Sequence, residues 1–481
     1  MYMPSYDVLV IGAGVSGLAT ARWLAMRGRR VAVCEAQAHL GGKIQSRKQQ
    51  GYLTEQAASM LVNYRPEVNQ ILQACGLQDQ LLERCAQATS ARYVVRDNQL
   101  QAVPMHLPGL LRASLFSWPQ KLRLLTEPLR PRGRPEQESV ADFVRRRFGQ
   151  EVLDTAMEPF ISGTLASDPE RANAAATLPR LSHLEQQYGS ITAGILVKKL
   201  LRQRSAMQSQ TLSFKDGMQS LPEQLAQHPN IDTYCSTSVS HIEPASFHGS
   251  RQGWLAHTSS GDGNRSISAK QLVLSVPAPV AARLLRTHNG QLADLLASIE
   301  YAPLNIVHTG FQAQSIPHSL NGTGFLVPKR AKAAINGNLW LSSTFSGRAP
   351  AGKVLLSSYL GGLRNPTARD WDDQQCIDKV QEDLATLMGV TGTADFAYVD
   401  RHQQALPLYL HDYPNRCRAI NQQLTALPGL SLEANYMGGV AVRDRLTHSL
   451  DTASRIHQQL QLGKAAPVYP AFTIHSELEP L

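Results

Sequence analysis

Three glycines and one carboxylate carry the most specific chemical signal in this 481-residue chain. Gly12, Gly14 and Gly17 are spaced as Gly-x-Gly-x-x-Gly, with Ala13, Val15 and Ser16 between them, and Glu35 follows eighteen residues after the last glycine. Gly12 allows a tight turn, Gly14 lets the backbone approach a pyrophosphate, and Gly17 lets a helix pack on its strand. A helix that opens in such a loop presents free N–H groups and the positive end of its dipole to phosphate oxygens. Glu35 can accept hydrogen bonds from ribose hydroxyls and would repel a 2′-phosphate. The chemistry implied is dinucleotide binding. After Glu35 and Ala36 the chain reaches Gly41-Gly42-Lys43, two glycines and a cation able to wrap the far side of the same pyrophosphate.

The elements that must position these residues surround them. Tyr6–Ile11 reads as a fully buried parallel strand, a helix runs from the glycine loop to Gly28, and Arg30–Glu35 reads as a second strand. Further helices are expected over Arg65–Cys75, Ser139–Phe148, Ile191–Arg204, Gln374–Met388 and Arg443–Leu462. Strands are expected around Ile231–Ile242, Gly253–His257, Gln271–Val276, Asn305–Phe311, Gly324–Val327 and Val354–Leu360. The fold class is α/β with α+β insertions. Gly463–Leu481 has no period and reads as a loosely held tail.

Lys and Arg number 47 against 38 Asp and Glu, a formal charge of +9 that suits an anionic ligand or an anionic surface. Aromatic residues are only 6% and do not interleave with basic ones, so nucleic acid is not expected as a partner. The six cysteines form no Cys-x-x-Cys and no zinc-like spacing with histidine, so no metal is expected. A second Gly-x-Gly-x-x-Gly in strand-turn-helix context and a Cys-x4-Cys pair are both missing, which argues against a nicotinamide domain and a disulfide reductase. The N-terminal residues lead straight into the glycine loop rather than forming a signal peptide, and no apolar run reaches about 18 residues. The expectation is a cytoplasmic protein, soluble or peripheral on a membrane.

A further motif, Gly51-Tyr52-Leu53-Thr54-Glu55-Gln56-Ala57-Ala58-Ser59, completes a succession with the glycine loop, Glu35 and Gly41-Gly42-Lys43. This succession resembles the FAD-binding amine oxidase and protoporphyrinogen oxidase superfamily, with Ala57-Ala58 where Gly-Pro is usual. The resemblance implies FAD as the dinucleotide, with Ala57, Ala58 and Ser59 near the isoalloxazine. It also implies that the backbone of Val239 contacts adenine. Asn435–Asp444 resembles the closing flavin motif, with Val440, Ala441 and Val442 at the start of the last helix. No cysteine sits beside that motif, so non-covalent FAD is expected.

Other segments resemble porphyrinogen oxidases more than amine oxidases or carotene desaturases: Glu158–Gly163 with Asp168-Pro169, Phe214–Met218 with Leu221-Pro222, Gly324–Pro328, Ser342–Pro350 and Leu406–Tyr409. The implied activity is oxidation of protoporphyrinogen IX to protoporphyrin IX by three hydride transfers, with dioxygen as acceptor and peroxide as by-product. A downstream tetrapyrrole enzyme is then an expected partner. No catalytic acid–base dyad is identified. Arg92 matches the family arginine that pairs with a propionate, and Arg96 lies four residues on, on the same face of an extended strand. Leu326 and Phe345 are expected to pack on the macrocycle. An ordinary surface arginine or core side chain would read the same way at each of these four positions.

By the same resemblance the FAD-binding domain, a Rossmann-like domain of the amine-oxidase type, comprises 1–84, 210–278 and 405–462. A mixed-sheet substrate domain comprises 85–107 and 279–404, and a helical lobe 108–209. Pro108–Leu125 mixes Leu, Phe and Trp with Arg112, Lys121 and Arg123, a composition suited to a membrane surface or to a helical cover over the pocket. Leu408 and Asp412 replace the family's Gln and Gly. Three alternatives therefore stay open: coproporphyrinogen III as substrate, another flavin oxidase, or an FAD-binding paralogue without turnover.

Overall fold

The computed structural model describes residues 5–89, 91–103, 109, 115–200, 209–247, 251–261 and 263–462. The expected tail, the end of the helix expected to reach Arg204, and residues 108 and 110–114 of the segment Pro108–Leu125 lie outside those residues. The strands are β1 (Ser5–Ile11), β2 (Val31–Cys34), β3 (Ser46–Gln49), β4 (Tyr52–Glu55), β5 (Leu61–Asn63), β6 (Leu81–Glu83), β7 (Ala91–Arg96), β8 (Gln99–Ala102), β9 (Gln210–Phe214), β10 (Ile231–Tyr234), β11 (Ser238–Phe247), β12 (Arg251–Ser260), β13 (Gly263–Leu274), β14 (Tyr301–Gln312), β15 (Gly322–Leu326), β16 (Ile335–Leu339), β17 (Lys353–Gly361), β18 (Phe396–Pro407) and β19 (Leu430–Leu432). The helices used below are α1 (Val15–Ala25), α2 (Pro66–Ala74), α3 (Trp118–Leu125), α4 (Val140–Arg147), α5 (Glu158–Leu165), α6 (Pro179–Tyr188), α7 (Ile191–Leu200), α8 (Ala278–Leu285), α9 (Gly290–Ala297), α10 (Asp373–Met388) and α11 (Val442–Leu462).

The first large sheet has the order β10-β2-β1-β13-β12-β11, with β19 on β13. Strands β10, β2, β1, β13 and β19 run parallel, and β11 and β12 are antiparallel additions. Both faces of its parallel part are covered, which is why these strands read as unbroken apolar runs. Val8, Val10, Val31 and Val33 face one core with α1 and α11. Leu9, Ile11, Ala32 and Cys34 face a second core with α8 and α9. Leu284, Leu285, Leu292 and Leu296, which fall in the stretch expected in the substrate domain, pack with Ile242 and Trp254 of the first sheet.

The second large sheet has the order β18-β14-β17-β16-β15-β7-β8. Its outer face buries Val307, Phe311, Leu356 and Trp340 against α10, which opens on a capping box between Asp372 and Gln375. Its inner face turns toward the nucleotide motifs: a Cβ on Gly310 would strike the Tyr52 ring, and Arg47 of β3 reaches Asp400 of β18 at 3.5 Å. Helices α3 to α7 form a separate cluster against one end of this face. There the fully buried Arg147 binds Glu127 and Glu185 and ties α4 to α6. Among the described residues no helix is long and apolar enough to cross a membrane.

Candidate active site

The glycine loop sits where β1 ends and α1 begins. A Cβ on Gly12 would lie 2.3 Å from the Ser275 carbonyl oxygen, and one on Gly17 would lie 2.1 Å from the Gly12 oxygen. These two glycines are fixed by protein packing. Gly14 differs: a Cβ there meets nothing within 4 Å, and the facing Gly42 would place one 3.4 Å from the Gly14 Cα. The amide of Gly41 donates to Ala13 at 2.8 Å, so the two glycine turns form one cradle whose open side is bare backbone. A phosphate group fits such a cradle. Val15 is half-buried there, whereas Ser16 is buried and turns its carbonyl to the Thr20 and Ser449 hydroxyls. Glu35 accepts the amides of Ala13 at 2.8 Å and Gln37 at 2.9 Å, which holds its carboxylate beside the loop. Ala36 is exposed. Val239 is buried at a register shift in β11, next to the turn that joins Thr237 to Glu35.

Lys43 departs from expectation. Its ammonium donates to the carbonyls of Gln404 and, at 2.6 Å, Ala405, rather than standing free over the cradle. The contact falls where the register between β14 and β18 shifts near Leu304. Burial pushes the Lys43 pKa down to about 8.

The Tyr52–Ser59 motif crosses into the interior. Glu55 is fully buried, accepts the Ser46 hydroxyl at 2.6 Å and the Met218 amide at 3.0 Å, and lies 3.7 Å from Arg348. Burial pushes its pKa up to about 7, and Ser46 and Arg348 oppose that rise. Ala57 and Ala58 are half-buried, and Ser59 is buried beside the Tyr359 phenol.

The closing motif is pinned by two tyrosines. Tyr409 donates to Asn435 at 2.5 Å and accepts the Gly439 amide at 3.0 Å. Tyr413 donates to Tyr436 at 3.2 Å and accepts the Gly438 amide at 3.0 Å. Beneath them Arg445 pairs with buried Glu433 at 3.2 Å and donates to the carbonyls of Ala434 and Met437. Val440, Ala441 and Val442 are thereby held half-buried at the N-terminus of α11. Nothing in the sequence reading singled out Glu433 and Arg445. Tyr409 lay inside a matched motif without an assigned role.

On the substrate side, strand register builds one rung across five strands. Val94 pairs with Leu326, Leu326 with Gly337, Gly337 with Tyr359, and Tyr359 with Ile306. All five lie on the same face. Gly337 has no side chain, and the space one would take is already filled, a Cβ there lying 2.9 Å from the Phe325 carbonyl oxygen and 3.2 Å from Leu326 Cδ2. Tyr359 keeps accessible surface although protein surrounds its phenol, whose pKa burial raises, the Ser59 hydroxyl opposing that rise and the Glu55 carboxylate adding to it. Sequence reasoning missed Tyr359, because only the pairing of β16 with β17 aligns it with Leu326. Phe345 is placed elsewhere. It has no accessible surface and packs in the protein interior, 5.8 Å from the Arg348 guanidinium. Arg92 is exposed on β7. Arg96 is half-buried, donates to the Leu115 carbonyl at 2.7 Å and lies 3.6 Å from Asp97.

The family described as flavin containing amine oxidoreductase matches residues 15–430. Protoporphyrinogen oxidase 2 of Arabidopsis thaliana is 30% identical over 94% of both chains. Coproporphyrinogen III oxidase of Bacillus subtilis is 26% identical over 91% of this chain and 95% of its own. A solved Exiguobacterium structure, provisionally named a protoporphyrinogen oxidase, superposes with a TM-score of 0.78 at 23% identity, covering 95% of this chain and all of that one. Putrescine oxidase shares the fold at a TM-score of 0.65 and 14% identity, over 95% of this chain and 99% of that one. A cradle for a dinucleotide, a pinned closing motif and a family match across most of the chain converge on one conclusion: this protein belongs to the flavin-containing amine oxidoreductases and is a flavin-dependent oxidoreductase.

Proposed function

We propose that the protein holds FAD without a covalent bond and oxidises a porphyrinogen, protoporphyrinogen IX first, with dioxygen as electron acceptor. The observation that carries this reading is that Leu326 and Tyr359 stand half-buried on one sheet face, aligned through Gly337, with Tyr359 beside Ser59 and Glu55 of the flavin motif and Arg92 exposed on β7. Relatives covering nearly the whole chain are named for protoporphyrinogen and coproporphyrinogen oxidation. Bound FAD supplies hydride acceptance and reoxidation by dioxygen, three cycles being needed for the six-electron aromatisation. The chain's own residues do the rest. Gly14, Gly42 and the α1 N-terminus receive the pyrophosphate, and Glu35 receives the adenosine ribose. Leu326 and Tyr359 set the plane of the macrocycle.

Delivery of so apolar a substrate favours a membrane surface. Trp118, Leu122, Leu125 and Leu129 recur at spacings of four, three and four residues and stand exposed, Trp118 and Leu129 by 80% and 83%. Leu196 and Leu200 of α7 add to the exposed apolar surface, with Lys198 and Lys199 beside them. We read α3 and α7 as an interfacial docking face on the cytoplasmic side. The domain division is read as expected, with residues 279–299 moved to the FAD-binding part.

The test is stoichiometry. Purified protein given protoporphyrinogen IX should consume three dioxygen per porphyrin formed, with matching peroxide. Turnover of an amine with no reaction of either porphyrinogen would overturn the reading. Preference for coproporphyrinogen III would correct the substrate and keep the chemistry.

A further inference from the structure

A cleft of about 440 Å³ lies between the helical cluster and the second sheet, within the range of ~300–1,000 Å³ usual for small-molecule sites. None of its lining residues belongs to the glycine cradle or to the Leu326–Tyr359 face. One wall comes from the π-helical turn Leu153–Met157, from α5 and from the loop after it, and the other from the turns that follow β15 and β17. Arg364, just after β17, ties the walls together. Its guanidinium pairs with Glu158 of α5 at 2.6 Å and donates to the Ser162 hydroxyl and, at 2.5 Å, to the Val327 carbonyl. The Lys329 amide donates to the second Glu158 oxygen at 2.9 Å. Helix α5 also separates the cleft from the flavin side, since a Cβ on Gly163 would lie 2.6 Å from Leu326 Cδ2.

The polar groups of the cleft are unevenly matched. Glu158 is paired with Arg364, and Glu170 is held by two nitrogens of Arg145. Asp168 accepts the Glu170 amide at 2.9 Å, and Asp154 accepts the Gln150 side-chain amide at 2.7 Å. Each carboxylate in the lining thus has a donor. Lys329 and Arg330 stand exposed on the sheet side, and among the described residues neither cationic head group meets a carboxylate. Ser167 is only 4% exposed, and its hydroxyl has no hydrogen-bond partner. The Nε of Arg364 is also shut off from solvent without a partner. The buried groups left unmet are therefore a hydroxyl and an N–H, both able to donate. Leu153 and Leu363 add apolar surface.

We propose that this cleft binds the anionic group of a small, partly apolar organic molecule, held by Lys329, Arg330 and Ser167. Charge-assisted hydrogen bonds from the two cations supply the affinity, and the leucines take the apolar part. Two sources offer that chemistry: a carboxylate of the porphyrinogen reaching past α5, or a separate small acid. The site itself does not depend on the porphyrinogen reading.

The test uses the flavin-loaded enzyme and para-fluorobenzoate, with para-fluorobenzamide and para-fluorobenzylamine as neutral and cationic controls, binding being read by fluorine NMR relaxation. The wild type should hold the benzoate about tenfold or more tightly than either control. Lys329→Gln combined with Arg330→Gln should weaken the benzoate about tenfold or more, and Ser167→Ala about threefold. Flavin content and thermal unfolding establish that each variant is folded. Protoporphyrin IX then separates the sources. Displacement of the benzoate by the diacid but not by its dimethyl ester assigns the site to the substrate's own carboxylate, and simultaneous binding of diacid and benzoate assigns it to a separate acid; either result supports the site. No binding of the benzoate to the wild type, equal binding to the wild type and the paired Lys329 and Arg330 variant, or tighter binding of the benzylamine overturns the proposal. Failure of protoporphyrin IX to bind while the benzoate does counts against the porphyrinogen reading alone.

Discussion

At the scale of single residues, the three loop glycines separate packing from ligand approach. Gly12→Ala and Gly17→Ala would drive a methyl into backbone at 2.3 and 2.1 Å, so both should unfold the protein or abolish flavin uptake. Gly14→Ala meets only open space. It should leave apoprotein thermal unfolding unchanged while weakening FAD binding tenfold or more, as equilibrium titration would show. Glu55 carries a pH signature. Its pKa rises from an ordinary 4.5 to about 7 on folding, so the folded state binds the proton more tightly than the unfolded chain. Stability from this group is full below the unfolded pKa and is lost as pH rises through about 7. The loss is at most on the order of 3 kcal/mol. Thermal unfolding of the apoprotein from pH 5 to 8 should show Glu55→Gln gaining on the wild type as pH rises; parallel curves would contradict the assignment. The loop glycines and Glu35 were legible because their chemistry depends on local spacing. Lys43 was legible as a cation near the loop, but its carbonyl partners come from β18, more than three hundred residues away.

At the scale of elements, the closing motif is the part most dependent on its supports. Tyr409 and Tyr413 each accept one glycine amide and donate to one carbonyl, and their rings pack with centroids 4.3 Å apart. Tyr409→Phe leaves two buried partners unmet, a cost of about 1–3 kcal/mol. It should speed FAD release measurably while far-UV circular dichroism stays the same. Glu433→Ala strands Arg445 in the interior and should lower stability by about 3–5 kcal/mol, read from denaturant midpoints. Legibility followed periodicity here as well. Strands β1 and β2 and helices α4, α10 and α11 announce themselves by apolar spacing or caps. Strand β18 was missed. Asp400, Arg401, His402 and two glutamines fill its middle, and they are tolerated because Asp400 meets Arg47, Arg401 meets Asp373, and His402 bonds the Gln56 carbonyl. Helices α8 and α9 show the same limit. Neither was among the helices expected from sequence, and which sheet they cover is a tertiary choice.

At the scale of the whole molecule, the inner face of the second sheet meets the nucleotide cradle on one side and the α3–α7 cluster on the other. The basic, apolar-studded outer side of that cluster should bind anionic vesicles. Trp118→Ser with Leu122→Ser and Leu129→Ser should abolish co-sedimentation with such vesicles and leave turnover of detergent-dispersed substrate intact; unchanged sedimentation would contradict the docking face. The account as a whole rests on direct electron transfer from a porphyrinogen to a flavin held by this chain. The most direct measurement is a single anaerobic mixing of the yellow protein with protoporphyrinogen IX, followed by flavin absorbance. The account requires the flavin to bleach within the time of one turnover, with no nicotinamide present, and the colour to return with porphyrin fluorescence when air is admitted. A flavin that stays oxidised in the presence of both protoporphyrinogen IX and coproporphyrinogen III would contradict it.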